Sequence, residues 1–338
     1  MNNLIILLGT TPKECPIEAY YVILDCVDGE PYVLPSYSIS NDGLGEVSLA
    51  YIPERAAFST PKTIDVLWLS LKEHTVFSLK DTFDVEYIAR TIITFRKIDA
   101  SATYLIIGFA PNARVYLWIK NSKKSKLIYR GTGVKKLVSD NESPVRDDCT
   151  TISEYCIKLG FELLDDYSKA FYDSTMREFN YRYVVRFGKW NGKSKQWEEY
   201  GEKEQLPEFG WIEEALFDGT HDKLRDGGLM KYHEAGKPKK LAVSWHIGKT
   251  EYSAYFWFED ERIREVFDRF YGAHPDTKTD FIIRIDAERR KYELALYRYG
   301  LKEPQVIPED VYQLLVFKNK FEDYRSDNYN QERGSWIW

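Results

Sequence analysis

Few residues in this chain have types that could do chemistry, and most of those fail on spacing. His233-Glu234 begins the pattern of a zinc-peptidase helix, in which two histidines four apart hold the metal and the glutamate acts as base. The second histidine would have to stand where Lys237 does, so the motif is incomplete. Phe217-Asp218-Gly219-Thr220 resembles the phosphatase loop of haloacid-dehalogenase-like enzymes, but their nucleophilic aspartate sits two places earlier, where this chain has Leu216. An Asp-Gly turn is the simpler reading. Asp218, Asp222 and Asp226 lack the alternating ligands and closing glutamate of a calcium loop and read as a solvated loop. His246 falls on a strand-like run beside Trp245 and reads as structural or interfacial, while His74, His221 and His274 fall in turns or loops and read as surface. Cys149 and Cys156 stand seven apart in a helix-like stretch, roughly 10 Å along its axis, too far to bridge. With Cys15 and Cys26 they read as small core residues. No GxSxG elbow, Walker loop or dinucleotide GxGxxG occurs. The expectation is therefore a protein with no catalytic residue, no metal site and no cofactor.

Aromatic and acidic residues are what the chain has in abundance. Of 338 residues, 25 are Tyr, 18 Phe and 9 Trp, and the formal net charge is −6 with both signs interspersed. That balance disfavours nucleic acid, whose affinity comes from lysine and arginine neutralising phosphates, and suits a basic protein partner. Tyrosine and tryptophan are the usual anchors of protein interfaces. The cluster Trp190, Trp197, Tyr200, Phe209 and Trp211, set among Glu198, Glu199 and the acidic run 202–204, is where such anchors are expected. Asp218 and Asp222 are taken as charged companions of this surface, because exposed charges steer encounter. The plainer alternative is a hairpin packed on its own domain, with solvated charges.

The elements that position these residues repeat. The pattern at 61–119 returns at 238–296, shifted by 177 positions, with Pro61-Lys62 matched by Pro238-Lys239, Trp68 by Trp245, and paired apolar runs closing each copy. Length suits two domains, and the 43% hydrophobic share can bury their cores. The expected fold is α+β, with two similar domains, each a mainly antiparallel sheet with one or two packed helices. Boundaries are placed at 1–140 for the first domain, 141–180 for a helical connector and 181–338 for a divergent second copy.

In order, a first strand is expected at 4–8, then a strand at 19–26 buried on both faces, and a hairpin turn at Asp28-Gly29. Residues 40–45 read as a loop. A helix over 84–97 follows from apolar residues at three- and four-residue spacing, capped by Asp84. A hairpin closes the copy through Pro111, 127–129 offers a further strand, and 135–146 is the clearest linker. Residues 147–178 carry one broken or two short helices. The second copy opens at 181–187 with a charged hairpin at 189–205, tipped by Asn191-Gly192, and a polar loop at 218–228. Its strands at 240–246 and 253–258 precede a helix at 261–271, and a last helix runs from Pro308 to about 324. The tail 327–338 is polar until Trp336-Ile337-Trp338. No apolar stretch approaches the roughly 20 residues that span a bilayer, and 4–8 is too short for a signal sequence.

The first copy resembles a bacterial family of lipoprotein-like proteins, domain of unknown function twenty-nine thirty-one. The likeness rests on Thr11-Pro12-Lys13-Glu14-Cys15-Pro16-Ile17-Glu18, on Pro61-Lys62 before the strand with Trp68, and on Tyr104-Leu105-Ile106-Ile107-Gly108-Phe109-Ala110-Pro111 followed by Val115-Tyr116-Leu117-Trp118. Ile285 and Glu288 replace Gly108 and Pro111 in the second copy. The resemblance implies a non-enzymatic immunity protein that binds a cognate toxin of type VI or similar contact-dependent secretion and occludes its active site. Family members usually carry a lipoprotein signal. This chain lacks one, which implies a cytoplasmic protein, or a periplasmic one if a signal has been removed. The competing expectations are a hydrolase using carboxylates around Asp218 and Asp222, and an envelope ligand-binding or structural protein.

Overall fold

The computed structural model describes residues 5–12, 15–34, 37–39, 49–51, 59–99, 103–137, 149–201, 206–224, 231–286 and 291–320. They form a sheet-rich α+β fold. The expected loop at 40–45, most of the linker at 135–146, the acidic run 202–204, Asp226 and the tail 327–338 lie outside the described residues. The chain divides into two compact units: Met1–Met176 with Phe217–Asp222, and Arg177–Leu216 with Lys223–Trp338.

The first unit contains two sheets. In one, β1 (Ile5–Thr10) runs parallel to β8 (Thr103–Ala110), β8 pairs antiparallel with β9 (Arg114–Lys120), and β9 with β10 (Ser125–Thr132). The short β5 (Leu49–Tyr51) lies on the other side of β1. In the second sheet β2 (Ile17–Cys26), β6 (Pro61–Ser70) and β7 (Thr75–Thr82) form an antiparallel run. β3 (Tyr32–Leu34), β4 (Tyr37–Ile39) and β11 (Val134–Lys135) flank it. β2 alternates between buried and half-buried residues, so its apolar run is buried on one face only, a correction to the two-face reading. Tyr20, Tyr21 and Ile23 give the partly exposed face enough apolar surface to hide the period of two.

Helix α1 (Val85–Ile98) starts where Asp84 accepts the Tyr87 N–H at 2.9 Å. Its inward stripe, Ile88, Ile92 and Phe95, joins a core built from both sheets around Trp68, whose ring lies 5.2 Å from that of Phe109. β8 and β9 are buried on both faces, with Ile106, Tyr116 and Trp118 in a separate cluster. Between them Gly108 has no room for a side chain, since a Cβ there would lie 2.5 Å from the Trp118 ring. Gly108→Ala is expected to destabilise by about 1–3 kcal/mol through overpacking, measurable by urea unfolding.

The expected helices at 147–178 are α2 (Ile152–Lys158), opened by a Thr151–Glu154 capping box, and α3 (Asp166–Thr175). Cys149 lies before α2, so the two cysteines do not share a helix face; Cys156 is buried against Leu69, Leu71 and Val76. His74, expected at the surface, is half-buried in a left-handed turn, with its ring nitrogens 3.1 Å from Ser153 Oγ and 2.9 Å from the Phe161 carbonyl oxygen. It fixes the β6–β7 turn to the α2 region.

The second unit also has two sheets. β12 (Phe179–Asn191) carries β13 (Gln196–Glu198) at its far end and β16 (His233–Ala235) at its near end. It runs parallel to β19 (Thr279–Asp286), which pairs with β20 (Tyr292–Arg298) and so with β21 (Gln305–Val306). The other sheet is β14 (Glu208–Leu216), β17 (Pro238–Ile247), β18 (Thr250–Phe258) and β22 (Tyr312–Lys320), all antiparallel neighbours. Helix α4 (Asp260–Tyr271) follows β18 and buries Ile263, Phe267, Phe270 and Tyr271, with Phe267 edge-on to Phe179 at 5.2 Å.

Two expectations here are corrected. The last helix is a single 3-10 turn, Glu309–Val311, followed by a strand that pairs along the whole of β18. Leu314 to Phe317 is a short apolar run whose period does not separate helix from strand, and pairing on a sheet edge decides it. The polar loop at 218–228 contains a strand, β15 (His221–Leu224).

Candidate partner-binding site

β12 continues past its sheet and turns back as β13, so the expected hairpin forms, with Asn191 Oδ1 accepting the Lys193 and Ser194 N–H groups at the tip. Trp190 and Trp197 stand directly opposite each other across the ladder, edge-to-face with centroids 5.6 Å apart. Both are half-buried. Trp197 also lies over Gly188, where a Cβ would come within 3.3 Å of its ring. The Trp190 N–H donates to buried Asp286 at 3.2 Å, and the Lys291 ammonium lies 5.7 Å over the Trp190 ring. Glu198 and Glu199 are exposed, Asn191 Nδ2 donates to Glu198 at 2.7 Å, and Lys189 lies 5.8 Å over the Tyr200 ring. The rings thus lie among charges of both signs, with exposed Glu198 and Glu199 at the end of β13 and exposed Lys193 and Lys195 at the tip. Half-buried aromatic rings within a charged rim suit contact with another protein.

Trp211 stands apart on β14, half-buried, with the Lys223 ammonium 3.7 Å over its ring. Asp218 and Asp222 fall with the first unit. Asp218 is 2% exposed, its carboxylate 3.6 Å from Arg130 and its carbonyl accepting the Trp118 indole N–H at 2.7 Å. Asp222 is half-buried and ion-paired with Lys124. The solvated-loop reading of these two is thereby corrected: they tie Phe217–Asp222 to β9 and β10. His246 is half-buried on β17 as expected, and His274 is exposed.

No family model matches the chain, and neither does any curated protein or solved structure.

Sequence reading missed a polar cluster inside the second unit. The Tyr183 hydroxyl donates to Glu214 Oε2 at 2.6 Å, the Tyr181 hydroxyl donates to the Gly236 carbonyl at 2.8 Å, and His233 Nε2 lies 4.0 Å from Glu214 Oε1. Burial holds the Tyr183 hydroxyl well above its usual range, and the Glu214 charge adds to this. A signal was present: Glu214 falls between Ile212 and Leu216 on the inward parity of β14, where a carboxylate requires a donor.

A second site missed by sequence reading is a cavity of about 270 Å³ in the first unit, beside α3. Arg114 and Thr132 are cross-strand partners on β9 and β10, as are Tyr116 and Arg130, so all four share one face. Asp173 of α3 accepts from Arg114 Nε at 3.3 Å, and Arg130 donates to the Met176 carbonyl at the end of α3 at 2.7 Å. A guanidinium at a helix C-terminus complements its partial negative charge. Both arginines thus hold α3 on the sheet.

Proposed function

We propose that this chain is a non-enzymatic immunity protein, made of two copies of one α+β module, which binds a secreted bacterial toxin of the type VI or a similar contact-dependent class and occludes its active site. The observation that carries the partner reading is the Trp190–Trp197 pair on a hairpin bordered by exposed Glu198 and Glu199. Aromatic anchors within a charged rim are the anatomy of a hot spot.

The two-copy reading is supported by register. Ile5 lies opposite Thr103 and Tyr181 opposite Thr279, a separation of 98 in each parallel pair. β6 and β17 occupy positions 177 apart at both ends, and each is the inner strand between a hairpin partner and an earlier antiparallel strand. Each hairpin leads into a helix and then into the strand that runs parallel to the unit's first. The flanking strands differ in length, β10 and β11 against β21 and β22, and the Trp190–Trp197 hairpin has no counterpart on β1 among the described residues. A hairpin that carries a tryptophan pair in one copy alone fits a copy specialised for contact.

The test is co-purification with the product of the neighbouring gene and rescue of cells that express it. Trp190→Ala and Trp197→Ala are each expected to weaken the complex by about 2 kcal/mol or more, roughly thirtyfold. Glu198→Lys is expected to slow association and change its salt dependence. Intact rescue by the double tryptophan variant would remove this hairpin from the interface, and absence of any complex would remove the immunity reading.

A further inference from the structure

The cavity beside α3 has more hydrogen-bond donors than the protein uses. Arg114 carries five N–H groups. Among the described residues it spends them on Asp173 through Nε and on Thr132 Oγ1 through Nη1, the latter at 2.7 Å, so Nη2 donates to nothing. Tyr116, 4% exposed, lines the cavity, and its hydroxyl makes no hydrogen bond to any described residue. The Thr132 oxygen accepts from Arg114, which leaves its own proton to give. Asp173, the carboxylate of the lining, is already satisfied, with Oδ1 on Arg114 and Oδ2 accepting Asn112 Nδ2 at 2.9 Å.

A guanidinium edge, a phenol and an alcohol therefore converge on one space with protons to donate, and the acceptors around them are occupied. The Tyr116 hydroxyl opens onto the cavity while its ring is packed, so its proton is available to a ligand rich in acceptors. A neutral apolar ligand would leave all three donors unmet. We propose that this cavity binds a small oxyanion, a phosphoryl or carboxylate group, held by Arg114 with Tyr116 and Thr132 as orienting donors. Arg130, stacked 5.9 Å from the Tyr116 ring and paired with Asp218, supplies the wall and adds positive potential. With Asp173 beside Arg114 the local charge is close to balanced, so selection rests on donor geometry and affinity is modest. This inference does not depend on the toxin reading, because the cavity lies in the first unit and its residues are not in the hairpin.

The experiment is thermal melting of the full chain in inorganic phosphate, and separately in acetate, against sodium chloride at matched ionic strength. Anions that bind the folded state raise the melting temperature with concentration, while general salting effects act on every variant alike. Phosphate or acetate is expected to give a saturable rise, with the apparent dissociation constant at least about tenfold larger in Arg114→Gln and several-fold larger in Tyr116→Phe. Tyr116→Phe keeps the ring and its packing, so it remains readable if Arg114→Gln loosens α3. A response to phosphate alone assigns a phosphoryl ligand, and one to acetate a carboxylate. A rise of equal size in the wild type and in Tyr116→Phe, or none beyond that in chloride, overturns the proposal.

Discussion

Trp118→Ala is expected to cost the protein about 3–5 kcal/mol, the largest loss from any single truncation considered. Trp118 is fully buried, rests on Gly108, lies 5.7 Å from the Tyr116 ring, and donates its indole N–H to the Asp218 carbonyl. Alanine removes the ring, opens a void that the paired strands β8 and β9 cannot close, and leaves a buried carbonyl without its donor. Trp118→Phe separates the two losses. It keeps an aromatic ring beside Gly108 and forfeits only the hydrogen bond and part of the volume, for about 1–3 kcal/mol. Urea unfolding followed by near-ultraviolet circular dichroism reads both. Equal losses in the two variants would mean that the indole N–H, and not the packing, carries the effect.

Stability is expected to rise by about 2 kcal/mol between pH 8 and 10, against the usual decline in alkali. Lys237 is fully buried, and burial lowers its pKa to about 8, a shift only partly opposed by Asp268 and Asp260. Arg264 and Arg177 also face it and push the same way as burial. The folded state therefore releases this proton near pH 8 while the unfolded chain holds it until about 10.4. Below pH 8 the buried ammonium is a fixed cost, and through the window above it that cost disappears. Lys240, half-buried and also lowered to about 8 chiefly by burial, adds a smaller contribution of the same sign. Near pH 10 the slope reverses. Tyr183, Tyr20 and Tyr271 are all raised, first by burial, so the unfolded chain ionises them while the folded one cannot. Lys237→Met should flatten the rise whatever it does to absolute stability, as measured by urea titrations from pH 7 to 11. An unchanged slope in that variant would show that the proton lost is not on Lys237.

Local patterning made much of this fold legible in advance. Asp84 and the spacing of Ile88, Ile92 and Phe95 specify α1 without reference to the rest of the chain, and Asn191-Gly192 marks the hairpin before its partners are known. Elements set by distant pairing were not legible. β22 carries apolar residues that suit either helix or strand, and only the free side of β18 makes it a strand. The polar sites were hidden for a related reason. Arg114, Tyr116, Arg130 and Thr132 show no spacing of their own, because what gathers them is the register of β9 against β10 with α3 laid beside it. The carboxylates that drew attention as motifs, Asp218 and Asp222, are held in ion pairs, which a reading by type and neighbourhood cannot distinguish from exposed charge.

Phe217–Asp222 folds with the first unit although the residues on either side of it in sequence fold with the second. A ribosome that has finished residue 176 has not yet made the carbonyl that Trp118 needs, so the first half emerges with its indole donor unmet until some 40 further residues follow. Cutting the gene between the halves would strand that short insert on the wrong fragment. Adding it back as a separate peptide becomes a way to watch the first half complete itself.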